Sequence, residues 1–134
     1  MQKNVLMIAF HFPPQKGSSG IQRTLKFCQH LPVFEWMPIV LSANERAYEF
    51  ISQEQINDIS PNIKIVRAFA LDAKRHLSIN GRYSKYFAIP DRWVTWLFGG
   101  VLSGLYLIHK MKPLIIWSTY PIATAHLIGY TLIV

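Results

Sequence analysis

The chain of 134 residues contains little cysteine and little acid. Cys28 is its only cysteine, so no disulfide can form within the chain and nothing points to an oxidising compartment. Only 7 residues are Asp or Glu, whereas 14 are Lys or Arg, which gives a net charge of +7. Excess positive charge favours anionic partners such as phosphate groups or acidic lipid headgroups. We therefore expect a cytoplasmic protein with negatively charged partners.

Several chemical signatures are also missing. The glycines do not follow the Gly-x-Gly-x-x-Gly pattern of a dinucleotide-binding turn, and no P-loop ends in Gly-Lys-Ser/Thr. No histidine pair has metal-ligand spacing with a supporting Cys or carboxylate, and no Ser-His-Asp arrangement can be supported. The basic residues form no recognised nucleic-acid motif. The sequence thus predicts no metal site, no resident cofactor and no nucleic-acid partner.

Two uncharged stretches fall short of a convincing membrane span. Residues 93–108 are shorter than the roughly 20 residues that a spanning helix needs. Residues 113–134 carry Ser-Thr-Tyr-Pro in their middle, which would place a polar turn at the bilayer centre. We interpret residues 93–108 as a helix buried against a sheet, where glycines permit close packing. The alternative is a helix in a membrane interface, anchored by its tryptophans.

The rest of the pattern alternates strands with helices. Apolar runs predict strands at residues 4–10, 38–42 and 114–117, and an alternating apolar pattern predicts one at 63–67. Helical spacing predicts helices at 21–31, 47–56, 93–108 and 122–134. Residues 69–89 read as a long irregular segment. Ser19 and Gln22 match a capping box for the first helix, and Asp91 is the expected N-cap of the third. This alternation predicts one α/β domain over residues 1–134, with a Rossmann-like parallel sheet covered by helices on both faces.

The stretch from Phe10 to Arg23 joins the first predicted strand to the first helix, a corner where open α/β sheets bind ligands. Backbone N–H groups at a helix N-terminus attract anions, and glycine lets a phosphate approach closely. A turn that only caps the helix is the alternative. A second turn follows the fourth predicted strand at the same edge. The candidate residues are Gly17, Ser18, Ser19 and Gly20, with Lys16 beside them, and Ser118, Thr119 and Tyr120 in the second turn. We interpret His11 and His126 as hydrogen-bonded structural histidines.

Six segments match a known family: residues 5–14, 17–23 with 25–27, 31–32 with Phe34, Trp36 and 38–41, Pro90-Asp91 with Trp96, 116–121, and Ala125-His126. Together they resemble the N-terminus of family 4 (group 1) glycosyltransferases of the GT-B fold. Lys16 and Glu35 depart from the family pattern, because glycine is common at both places. The resemblance runs the length of the chain and implies an incomplete N-terminal half of a GT-B enzyme.

The resemblance also implies a function. In enzymes of this family two Rossmann-like domains face each other across a cleft. The N-terminal domain mainly binds the acceptor, and the C-terminal domain binds the nucleotide sugar. The glycine loop approaches the donor diphosphate, a role that falls here on Gly17 to Gly20. Arg23 and the Ser118 to Tyr120 turn line the same cleft. The implied reaction is a retaining sugar transfer to an acceptor that is lipid-linked or a polysaccharide.

The sequence does not contain the family's donor domain or its acceptor-side catalytic residue. We therefore expect no catalytic residue in residues 1–134, and no sugar transfer by this chain alone. Its fourth strand becomes an exposed sheet edge, and the donor domain is the expected partner. Two alternatives remain: a different Rossmann-like nucleotide-binding protein, or a non-catalytic module at the inner face of the membrane. The second would use Lys74, Arg75, Arg82, Lys85 and the tryptophans.

Overall fold

The computed structural model describes residues 2–134, in which strands and helices alternate. The strands are β1 (Lys3–Ile8), β2 (Trp36–Ala43), β3 (Lys64–Ala68) and β4 (Ile115–Ser118). The helices are α1 (Gly20–His30), α2 (Ala73–His76), α3 (Trp96–Met111) and α4 (Ala123–Ile133). Short 3-10 helices lie at Leu31–Phe34, Glu45–Ala47, Ile56–Asp58 and Lys85–Ala88.

All four strands pair in parallel in the order β3-β2-β1-β4. The chain moves outward from β1 to β3 and then crosses back to place β4 on the other side of β1. This is the strand order at the start of a Rossmann-like sheet, and it confirms the predicted fold class. Among the described residues β4 pairs with β1 alone, so it is an edge strand as expected.

The sheet is covered on both faces, which explains the continuous apolar run of β1. Leu6 and Ile8 belong to a core cluster that also contains Trp96 of α3 and Ile128 of α4. Their neighbours along the strand join a second cluster on the opposite face, together with Cys28 of α1. Burial raises the pKa of the Cys28 thiol to about 12, as expected for an inert core thiol.

Helices α3 and α4 pack closely because two glycines of α3 face α4. A methyl group placed on Gly104 would come within 2.5 Å of Leu132 Cδ1, and one on Gly100 would collide with Ile128. Trp96, at the start of α3, is fully buried. The expectation of a helix buried against the sheet is therefore confirmed for this face of α3. None of the helices within residues 2–134 is long and apolar enough to cross a membrane.

The helix expected at residues 47–56 is wrong. Only the 3-10 turns at Glu45–Ala47 and Ile56–Asp58 form there, and the residues between them extend along the loop after β1. Gln15 and Ile51 form an antiparallel bridge, and the Ser52 amide donates to the Pro14 carbonyl at 2.7 Å. Pairing with the loop thus takes the backbone groups that a helix would need.

The expected cap of α3 is also wrong. This helix begins after Thr95, and Asp91 instead accepts the Trp93 amide in the turn before it. The Asp91 carboxylate also accepts the Thr124 amide and hydroxyl, each at 2.9 Å. Asp91 therefore ties the chain before α3 to the first turn of α4, which follows the second candidate turn.

Candidate functional site

The two candidate turns meet at the carboxyl edge of the sheet, between β1 and β4. The loop at residues 9–19 follows β1, and the turn at residues 119–122 follows β4. β1 and β4 are neighbours, and the strand order reverses between them. In open α/β sheets such a reversal opens a crevice beyond the strand ends, where ligands bind.

The glycine loop enters α1 through a backbone conformation that favours glycine. Gly17 has φ of 91°, in the left-handed region, and is exposed. The Ser18 hydroxyl accepts the Gly20 amide at 3.2 Å. Ser19 occupies the N-cap position but makes no side-chain cap bond, so the predicted capping box is wrong. The Ser18 side chain thus makes the hydrogen bond at the start of α1, and Ser19 remains exposed at the N-cap position.

The loop is held from the side by residues distant in sequence. The Lys16 amide donates to the Phe50 carbonyl at 2.9 Å. Arg67 of β3 donates to the Pro13 and Ala43 carbonyls, and the Tyr48 hydroxyl donates to the Phe10 carbonyl at 2.7 Å. These bonds position the loop without any ligand, as a preformed binding site requires.

Arg23 connects the two candidate turns. It lies in the first turn of α1, where its Nη1 donates to Thr119 Oγ1 at 3.0 Å and to the Tyr120 carbonyl at 3.2 Å. Thr119 is buried and the Tyr120 ring is exposed. The guanidinium carries five N–H donors in a planar fork, so these two bonds leave donors to bind an anion.

Ser118 separates from this group. Its hydroxyl lies 2.7 Å from Nδ1 of His126 on α4. Ser118 therefore forms its hydrogen bond on the face of the sheet opposite α1. Of the second candidate turn, the structure therefore brings Thr119 and Tyr120 to Arg23 but not Ser118. His126 is hydrogen-bonded, as predicted.

His11 belongs to the site, although the sequence indicated only a structural role. Its Nδ1 lies 2.6 Å from Oε1 of Gln15, and its ring packs so close to Gly20 that an added Cβ there would lie 3.3 Å from the ring. Nε2 is buried and has no hydrogen-bond partner within residues 2–134. Burial lowers the pKa of His11, and the charge of Arg23 lowers it further, whereas the Gln15 bond acts against them. His11 is therefore neutral at pH 7, and it lies close enough to Arg23 for that charge to lower its pKa.

The charges around α1 favour an anion. Residues 1–34 contain four basic residues and no acidic one. On the outer side of the loop, a pocket of about 310 Å³ is lined by both Lys16 and Glu54, so it is electrically mixed. On the side of the loop toward Arg23, the positive N-terminal end of α1 and the Arg23 guanidinium both attract an anion. Across the described chain, residues 2–134, no group of three His, Cys, Asp or Glu could hold a metal ion.

No protein-family model, curated protein or solved structure matches this chain.

Proposed function

We propose that this chain is the acceptor-side, N-terminal part of a GT-B glycosyltransferase of family 4, and that its crevice binds the diphosphate of a nucleotide sugar. The Rossmann-like strand order, the glycine loop and the position of Arg23 support this assignment. The exposed left-handed glycine allows a phosphate to approach the backbone at the start of α1. The single buried cysteine is consistent with a cytoplasmic location.

One observation carries the proposal. The two hydrogen bonds from Arg23 to Thr119 and Tyr120 fix a guanidinium across the β1–β4 reversal. A guanidinium recognises phosphate through two parallel N–H donors, and prior anchoring reduces the side-chain entropy lost on binding. Both bonds use Nη1, so Nε and Nη2 are left to donate to a phosphate.

Within this proposal the residues have distinct roles. The loop at Gly17 to Ser19 and the N-terminus of α1 bind the diphosphate, and Arg23 neutralises part of its charge, whereas the Gly20 amide is occupied by the Ser18 hydroxyl. Thr119 positions Arg23, and the neutral imidazole of His11 packs under Gly20. The sugar is transferred only in the presence of a donor domain, whose paired glutamates the resemblance implies. The acceptor binds on the exposed side of the same crevice.

A Rossmann-like protein that binds a dinucleotide is the other candidate. Glu45 follows β2, where such proteins place an acid that binds the ribose. However, eleven residues separate the end of β1 from the start of α1, in place of a tight glycine turn. The buried rings of Phe10, His11 and Phe12 occupy that connection. The long connection therefore favours a nucleotide sugar over a dinucleotide, whose diphosphate is bound at a tight glycine turn.

Calorimetric titration with UDP-glucose, GDP-mannose and NAD tests the assignment. We expect a nucleotide sugar to bind residues 1–134 with Kd of about 1 mM or weaker, since they supply only one side of the proposed cleft. The Arg23→Gln variant should lose most of this affinity. Lys26→Gln removes the same charge one turn along α1 and should retain it. NAD binding that is tighter than sugar-nucleotide binding would contradict the proposal, and so would an equal loss in both variants.

A further inference from the structure

Helix α3 presents an apolar surface to solvent as well as to the core. Phe98, Leu102, Leu105 and Tyr106 are 75, 71, 52 and 54 % exposed. Their spacing places them on one face of the helix, which we call the outer face. The side toward the sheet and α4 carries the buried Trp96, Gly100, Gly104 and Leu107. The outer face therefore has no part in the folded core, although it is as apolar as a core surface.

A helix that is apolar on every side is normally covered on every side. Helix α3 has 16 residues, too few to span a bilayer, which excludes coverage by a transmembrane arrangement. A helix that lies in the membrane plane buries one apolar face in the boundary between headgroups and acyl chains. The other face of α3 stays on the sheet.

The charges beside the outer face are positive. Residues 92–134 contain no acidic residue. The Lys110 ammonium donates to the Tyr106 hydroxyl at 3.0 Å, and the pKa of Tyr106 is lowered first by this bond and further by the charge of Lys64. The acidic 3-10 turn at Ile56–Asp58 is instead bound by Gln29 of α1, which packs on the opposite face of the sheet.

We propose that the outer face of α3 docks on an anionic lipid bilayer, with Phe98, Leu102, Leu105 and Tyr106 inserted and Lys64 and Lys110 at the headgroups. The tryptophans do not take part as the sequence suggested. Trp96 is fully buried, and Trp93 donates to the Ala47 carbonyl and packs on Phe10. The exposed aliphatic and aromatic residues in the middle of α3 replace them. This inference does not depend on the proposed sugar-nucleotide site, which lies between β1 and β4.

Vesicle flotation tests the docking with the protein as it is. The vesicles contain phosphatidylcholine alone, or phosphatidylcholine with about one-third phosphatidylglycerol. We expect binding to the anionic vesicles only, and a partition coefficient at least about tenfold lower for Leu102→Glu/Leu105→Glu. The matched control is Val33→Glu/Phe34→Glu, which adds the same charges at two residues that are 77 and 69 % exposed beyond the end of α1. Circular dichroism checks that both variants fold.

Four results would overturn the docking. Three concern the vesicles: no binding to anionic vesicles, equal binding to both vesicle types, or an equal loss of binding in the control variant. The fourth is a dimer that Leu102→Glu/Leu105→Glu dissociates, because a second copy of the chain would then cover the outer face. A second measurement needs no disruptive variant. Leu102→Cys, labelled with an environment-sensitive fluorophore, should shift to the blue on anionic vesicles, while the buried Cys28 stays unlabelled. Vesicle binding without that shift would place the contact elsewhere.

Discussion

Arg23 on α1 and Thr119 after β4 are 96 residues apart in sequence, yet Nη1 and Oγ1 lie 3.0 Å apart. The bond crosses the point where the strand order reverses. It therefore joins the two loops that form the crevice and fixes a positive charge between them. Sugar-nucleotide binding, as proposed for this chain, depends on that charge being held in place.

Thr119→Val should weaken diphosphate binding without touching the ligand. Valine keeps the volume of threonine but removes the hydrogen-bond acceptor. The Arg23 side chain therefore becomes more mobile and loses more conformational entropy when the ligand binds. We expect UDP affinity to fall about two- to fivefold, consistent with about 0.5–1 kcal/mol for one hydrogen bond. A double-mutant cycle with Arg23→Gln measures the coupling, and independent effects of the two substitutions would contradict the positioning role.

Gly17→Ala should destabilise the fold, because alanine disfavours φ of 91°. Nothing lies within 4 Å of the added methyl group, so strain alone determines the cost. We expect a loss of about 1 kcal/mol in the free energy of unfolding, measured with urea. Gly17→Asn is the control, since asparagine tolerates positive φ better. A loss as large for asparagine would show that backbone strain is not the cause.

Asp72→Asn should lower the free energy of unfolding by about 3 kcal/mol, as expected when one partner of a buried ion pair is removed. The Asp72 carboxylate is fully buried and accepts from Arg75 at 2.9 Å, from Arg92 Nε at 2.8 Å and from the Lys74 amide. It thereby fixes the irregular segment before α3. Thermal and urea melts measure the loss, and the exposed Asp58→Asn should change stability by less than about 0.5 kcal/mol. Equal effects would indicate that the network is not stabilising.

The same network predicts a dependence on acid. Burial by itself would raise the pKa of Asp72, but hydrogen bonds from Arg92 and Arg75 outweigh it and the pKa is lowered. The stabilisation is fully present above the pKa of about 3.9 in the unfolded chain and is lost as the pH falls through the native value. Asp72→Asn should therefore flatten the stability curve below about pH 4. An unchanged slope there would contradict the assignment.

His11 should make stability fall on mild acidification. Its pKa is lowered in the native state, mainly by burial, so the unfolded chain takes up the proton first. Stability is complete above about pH 6.5 and declines below it, at no more than about 1.4 kcal/mol per pH unit. His11→Gln should remove this part of the slope between pH 7 and 5, whereas the exposed His30→Gln should leave it. Chemical denaturation at each pH measures both.

The sheet could be predicted because its signals are local. Apolar runs predicted β1, β2 and β4, and an alternating apolar pattern predicted β3. Predictions failed where distant contacts decide. Residues 47–56 pair with the loop at Gln15, which no periodicity reveals. Asp91 has the local signature of an N-cap, but its carboxylate bonds to Thr124, 33 residues later. Ser18, not Ser19, bonds the start of α1, and adjacent serines look alike in sequence.

A nuclear magnetic resonance titration of the ¹⁵N-labelled chain with UDP tests diphosphate binding in the crevice most directly. It resolves millimolar binding residue by residue. We predict that the amide signals of residues 17–20, 119 and 120 and the Arg23 side chain shift together and saturate, and that Arg23→Gln moves saturation to a much higher UDP concentration. Shifts confined to other surfaces, or none at the loop after β1, would contradict a diphosphate site between β1 and β4.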